Sequence, residues 1–250
     1  MWNKPELLNA IASALYAAAL LLAAYATAHY VMRLPAFPLR EVLIRGELAH
    51  VTVDQIEGIV KREVAGNFFT LDLVQARAAF EKLPWVRKAD ARRQWPDRLE
   101  VALEEHVPLA RWGSAALVNV QGEIFVAAYD SELPLFVGPQ DSVKEIALRY
   151  AYFKHSLAAI GQIPVQVQVS PRRAWQIRLD TGLVMELGRE HIESRLERFI
   201  AVYERTIFPL QRKLDYVDLR YPNGFAVRIP ELKLDPQPKR RSAKGARATG

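Results

Sequence analysis

The chain has 250 residues, half of them apolar and a quarter charged, with no cysteine; this permits one large or two small domains with their own cores and excludes a disordered chain. Disulfides, thiol catalysis and thiolate metal sites are excluded, while either redox compartment stays open. The net charge of +6 is not a nucleic-acid signal: Lys239, Arg240, Arg241, Lys244 and Arg247 lie in a tail with no acidic residue after Asp235, and setting those five aside leaves +1.

Residues 7–32 carry no formal charge and are rich in Leu and Ala, with Tyr16, Tyr25, His29 and Tyr30 toward the ends. As a helix they would span about 39 Å, more than the roughly 30 Å of a bilayer's hydrocarbon core. Ala24-Tyr25-Ala26 and Ala26-Thr27-Ala28 also fit a signal-peptidase site, but a signal peptide's apolar region is about half as long. Lys4 and the amino terminus on one side oppose Arg33 and Arg40 on the other, so charge alone leaves orientation open. Ala10, Ala14 and Ala18 form a small-xxx-small row, a spacing that so Ala-rich a segment produces by chance.

Residues 39–45 are a short apolar run closed by Gly46. Thr52 with Gln55 forms a capping box ahead of Ile56, Ile59, Val60 and Val64, which share a helical face. Asp72 with Gln75 opens a second helix through Leu73, Ala76, Phe80 and Leu83, ended by Pro84. Ala89, Ala91, Arg93 and Trp95 then alternate with Lys88, Asp90, Arg92 and Gln94, as in a strand covered on one side. Pro96-Asp97 turns the chain, and Leu99, Val101 and Leu103 return on one face. The predicted order is β-α-α-β-β.

Further on, residues 117–126 form a hairpin around Gln121-Gly122. Ser142 with Glu145 caps a helix with Val143, Ile146, Tyr150, Phe153 and Leu157 inward. Trp175, Ile177 and Leu179 turn at Asp180-Thr181-Gly182 and return through Leu183, Met185 and Leu187. After Gly188 a helix carries the stripe Ile192, Leu196, Phe199, Ile200, Tyr203 and Ile207, closed by Pro209. A last hairpin has Pro222-Asn223-Gly224 as its loop, with Gly224 left-handed; this sets Tyr221 against Phe225, Leu219 against Val227 and Val217 against Ile229, all on one face. The final strand is a candidate sheet edge. Residues 231–250 read as a solvated, disordered tail.

No catalytic, cofactor-binding or metal-ligating constellation emerges. The five histidines (His29, His50, His106, His155 and His191) show no H-E-x-x-H or H-x-H spacing. There is no G-x-x-x-x-G-K loop and no G-x-S-x-G elbow. Glu104-Glu105-His106 is a compact acid and imidazole cluster, but a strand alternates its faces and brings no nucleophile near; it reads as a solvated strand end.

The stretch 67–112 carries Phe68-Phe69, Leu83-Pro84-Trp85-Val86, Trp95-Pro96, Leu99-Glu100-Val101 and Pro108-Leu109-Ala110-Arg111-Trp112. With the β-α-α-β-β order, these make the first unit resemble a POTRA domain. One membrane helix, one such unit and one more β-rich domain together resemble the FtsQ/DivIB family of bacterial cell-division proteins. Arg172-Arg173-Ala174-Trp175, Leu187-Gly188-Arg189 and Tyr216-Val217-Asp218-Leu219-Arg220-Tyr221 followed by Gly224 match characteristic segments of that family. The likeness runs from the membrane helix to about Pro230.

The resemblance implies an α+β protein: a short cytoplasmic segment at 1–6, a transmembrane helix at 7–32, a POTRA domain at 33–108, a β domain with helices at 109–230 and the basic tail at 231–250. It implies a non-enzymatic inner-membrane scaffold at the division septum, single-pass, with its domains in the periplasm. The implied partners are FtsB, a small coiled-coil membrane protein, and FtsL, which travels with it, bound partly by strand addition to the sheet edge; no nucleic acid and no cofactor are implied. Carried over by position, the partner-binding candidates are Arg173, Arg220, Tyr221, Asn223 and Gly224, with Arg172 as an alternative to Arg173. Ile229 stands where some relatives have Trp. Read from their chemistry alone, Tyr221 would pack the hairpin and Gly224 make its turn. A POTRA-bearing outer-membrane assembly or secretion factor is the alternative function, although roughly 140 residues after Trp112, two helices among them, are few for a membrane barrel. An anchored periplasmic hydrolase is a third, with no catalytic group to support it.

Overall fold

The computed structural model describes residues 5–32, 38–64, 67–210 and 214–230; Lys4, Arg33 and the basic tail lie outside the described residues. Helix α1, Pro5–Met32, contains a 24-residue stretch, Leu8–Val31, long and apolar enough to cross a membrane. Leu15 and Leu20 on it are exposed, at 65% and 71%. The chain divides into two compact units, Met1–Val107 and Pro108–Gly250.

In the first unit, strand β1 (Glu41–Arg45) is followed by helices α2 (Val53–Glu63) and α3 (Leu73–Phe80) and strands β2 (Val86–Gln94) and β3 (Arg98–Glu105). The sheet order is β1-β3-β2, with β1 parallel and β2 antiparallel to β3. Both bonds of the Thr52–Gln55 capping box form. Asp72 caps α3 with one carboxylate oxygen, accepting from the Val74 and Gln75 amides. Helix α3 ends at Phe80, short of Pro84, because turn bonds from Lys82 to Ala79 and from Leu83 to Phe80 replace the helical ladder. The predicted apolar faces meet in one core: Ile56, Ile59, Ala76 and Phe80 pack on Ala89, Leu99, Val101 and Leu103. Burial of Phe80 alone contributes about 2–3 kcal/mol. Gly46, at φ 136°, lets the chain pass the β3 backbone, since a Cβ there would lie 2.2 Å from the Leu103 carbonyl oxygen.

Three expectations fail in this unit and the next. Trp95 is not on the covered face: β2 stops at Gln94, and Trp95, joined to Pro96 by a cis peptide, sits in the turn with 80% exposure. Glu105 is not solvated. Its side chain is 7% exposed and accepts from the Ala49, His50 and Val51 amides at 2.8–3.2 Å and bonds the His50 ring, which stacks on Trp85 at 3.7 Å. Burial opposes its ionisation, but the amides of Val51, His50 and Ala49 prevail and hold its carboxyl below the ordinary range. Ser142, in the second unit, does not cap its helix; it is buried in a 3₁₀ turn and donates to the Pro139 carbonyl.

The second unit holds a sheet of nine strands among the described residues: β4 (Pro108–Trp112), β5 (Ala116–Asn119), β6 (Ile124–Phe125), β7 (Leu135–Val137), β8 (Pro164–Val169), β9 (Trp175–Leu179), β10 (Val184–Gly188), β11 (Tyr216–Asp218) and β12 (Ala226–Arg228). Their order is β12-β11-β10-β9-β8-β7-β4-β5-β6. Helices α4 (Val143–Ala158) and α5 (Ile192–Val202) cover one face. Across the sheet, Phe136, Val167, Ile177, Met185 and Val217 form one paired row that meets Phe153, Leu157, Leu196 and Phe199 in the core. The adjacent row, Gln168, Gln176, Glu186 and Asp218, is polar and lies on the opposite face. Beyond Val202 the helix widens into a π turn, Tyr203–Ile207, that still brings Ile207 inward.

Candidate partner-binding edge

Strand β12 closes one side of the sheet, paired antiparallel to β11, and Ala226, Val227 and Arg228 are all exposed. No strand pairs with its outer side among the described residues. A row of main-chain donors and acceptors is thereby left for water or another strand.

The hairpin register differs from the prediction by two residues. Val217 faces Val227, not Ile229, and the loop runs from residue 219 to 225. Two groups widen it. Asp218 ends β11 by accepting the Arg220 amide at 3.0 Å, and Arg198 on α5 donates to the Tyr221 and Pro222 carbonyls at 3.1 and 2.7 Å. Gly224 therefore needs no left-handed backbone, and its φ is not positive. A slip of two preserves the inward face, so Val217 and Leu219 remain buried while Val227 and Tyr221 do not.

Arg220, Tyr221, Asn223 and Gly224 share this loop. Tyr221 is 55% exposed, and with residues 222–226 it lines an open concavity of about 420 Å³. The Arg220 guanidinium grips Asp218 with bonds of 2.9 and 2.6 Å. The Arg220 bond, outweighing burial, holds the Asp218 carboxyl below its ordinary range. Ile229 turns inward and packs on the core. Arg173 sits two strands away, in a turn at φ 62° just ahead of β9, ion-paired to Asp141 and, at 3.7 Å, Glu145. Sheet register sets it at the same end as Arg220, because Trp175 pairs with Gly188 and a Cβ on Gly188 would lie 3.1 Å from Arg220 Cγ. Arg172 is exposed beside it.

Sequence reasoning missed Arg198 and Asp218, which shape the loop, and the Arg228 guanidinium lying 5.5 Å over the Tyr216 ring. Burial, reinforced by Asp218 and Glu186, raises the Tyr216 pKa. Asp218 could have been found, since Asp two residues before Arg at a strand end signals an Asx turn. Arg198 gave no sign: it is one charged position on a helix surface. Among the described residues no group of three or more His, Asp or Glu could hold a metal.

Two family models match the chain: "POTRA domain, FtsQ-type" over residues 37–106 and "Cell division protein FtsQ/DivIB, C-terminal" over 110–220. Among relatives, a cell division protein FtsQ of Nitrosospira multiformis is 49% identical over 91% of this chain and 99% of its own length. That of Burkholderia pseudomallei is 45% identical over 94% of this chain and 96% of its own, and that of Bordetella pertussis 33% identical over 93% and 94%.

Proposed function

The chain belongs to the FtsQ/DivIB family of cell division proteins, and from that premise we propose that it is a single-pass inner-membrane scaffold of the division septum, linking early and late divisome proteins. Helix α1 crosses the membrane with the amino terminus cytoplasmic and both folded units periplasmic. The protein binds the FtsB/FtsL pair and so constrains septal peptidoglycan synthesis, without itself catalysing a reaction.

The observation that carries this reading is the exposed edge strand β12, flanked by the Arg220–Gly224 loop. A partner segment that extends the sheet would gain main-chain hydrogen bonds from β12. Specificity would come from side chains: Tyr221 and Asn223 at the loop, Arg220 locked on Asp218, and Arg173 at the same end of the sheet. Ile229 supports the edge from within. The test is capture of the FtsB periplasmic segment by the full chain in nanodiscs, with Tyr221 intact or changed to Arg. Binding by the first and loss in the second is expected. Equal binding by both would refute the site, and none by either would refute the partner.

A further inference from the structure

The β2–β3-turn end of the first unit carries two exposed aromatic side chains, one of them edge-on to Phe68 at 5.2 Å. Trp95 is 80% exposed at the β2–β3 turn, and Phe69 is 42% exposed in the loop before α3. Arg93 joins these two places, donating to the carbonyls of Phe68, Phe69 and Leu71 at 2.7, 3.3 and 2.5 Å. The same end is where the chain arrives from α1. Pro38 forms a bridge to Asn67, and the Arg40 amide donates to the Asp97 carbonyl, two residues from Trp95. Six residue steps separate Met32 from Pro38, a covalent reach of at most about 21 Å. Pro38 is therefore tethered within that distance of the end of an apolar helix, and Phe69 and Trp95 each lie two residues along the chain from the contacts that Pro38 and Arg40 make.

We propose that the Trp95 turn and the Phe69 loop dock on the bilayer surface beside α1, with the two rings in the headgroup interface. This rests on α1 spanning the membrane. The indole of Trp95, apolar with one N–H donor, prefers the interface between headgroups and acyl chains to water or hydrocarbon, and Phe69 adds apolar area beside it. The surrounding charge is close to balance, with Arg40, Arg92 and Arg98 paired to Asp97, Glu100 and Glu41 and the Arg93 guanidinium held by backbone carbonyls, so the rings and not the charges carry the docking. At the other end of the unit, around Gly46 and residues 49–54, α2 begins with Asp54 in the first turn. Docking would fix the first unit upright on the membrane by two points, the tether and the aromatic turn.

The absence of cysteine allows single-site spin labelling of the full chain in nanodiscs of phosphatidylethanolamine and phosphatidylglycerol. Labels are placed through Gln94→Cys, Asp54→Cys and Leu20→Cys, and accessibility to oxygen and to a water-soluble nickel chelate is read by electron paramagnetic resonance. The label at 94 should gain oxygen and lose nickel accessibility relative to that at 54. Adding Trp95→Ser should abolish the difference and Trp95→Tyr keep it. A label at 94 as aqueous as that at 54, with the label at 20 in hydrocarbon, overturns the docking and leaves the span intact. An interfacial label at 94 indifferent to Trp95→Ser overturns the role of the ring. An aqueous label at 20 overturns the span and the docking with it.

Discussion

Two adjacent carboxylates on β3 separate a structural charge from a solvated one. Glu105→Ala removes the acceptor of three amides; Val51 is 9% exposed, whereas Ala49 and His50 stand nearer to solvent. The orphaned Val51 amide costs about 1–3 kcal/mol, and the two that can rehydrate add a few tenths each, so the loss is about 2–3 kcal/mol. Glu104→Ala breaks an Arg87 pair whose carboxylate side chain is 50% exposed, which costs less than about 1 kcal/mol. At about 4–8 °C per kcal/mol for a domain of this size, Glu105→Ala should lower the first unit's transition by roughly 10–20 °C and Glu104→Ala by a few degrees. Scanning calorimetry of the full chain, with hydrogen exchange at residues 49–51 to assign the transition, measures both. Because the Glu105 pKa is lowered on folding, its contribution is full above the ordinary carboxyl pKa and disappears as pH falls through the lower folded value. Equal shifts for the two variants, or a Glu105→Ala deficit that grows at low pH, would refute the reasoning.

Gly46→Ala would drive a methyl into the Leu103 carbonyl, on a residue that the β2–β3 ladder holds in place; a loss of several kcal/mol in first-unit stability is expected in urea unfolding. Asp218→Asn removes the charged acceptor of Arg220. It should cost about 1 kcal/mol at neutral pH, with the difference from wild type fading as pH falls through the lowered Asp218 pKa, as seen by calorimetry across pH. Arg198→Ala frees the Tyr221 and Pro222 carbonyls; faster hydrogen exchange across residues 219–225 and about tenfold weaker capture of the FtsB segment should follow from the loss of about 1–2 kcal/mol of ordering.

What could be read from the sequence was what local chemistry decides. The Thr52–Gln55 box and the inward rows of α2, α4 and α5 follow from spacing along one element, and the structure has them. The resemblance to the FtsQ/DivIB family extended this to the order of units. Strands β7 and β8 escaped: β7 has only three residues, whereas β8 was legible as the unbroken alternation Val165-Gln166-Val167-Gln168-Val169 and was passed over. Glu105 was misread because its partners lie 54–56 residues away and are backbone amides, which no side-chain pattern announces. The last hairpin shows the same limit at the candidate site. The alternation survived a two-residue slip, but the wider loop is held by Asp218 and by Arg198, the latter a residue from another element.

The parallel pairing of β1 with β3 also fixes how the first unit bears load. The chain arrives at the Glu41 end of β1 and departs from the Glu105 end of β3, with the two strands side by side. Tension between these points pulls the strands along their axes in opposite directions. All five paired positions, from Glu41 with Arg98 to Arg45 with Ala102, then resist together in shear, and none can be peeled open before the rest. The β2–β3 turn, with Trp95 at its tip, lies off that line of force. With α1 in the membrane and partners on the second unit, as proposed above, the first unit would act as a coupling that transmits tension between them while keeping its fold.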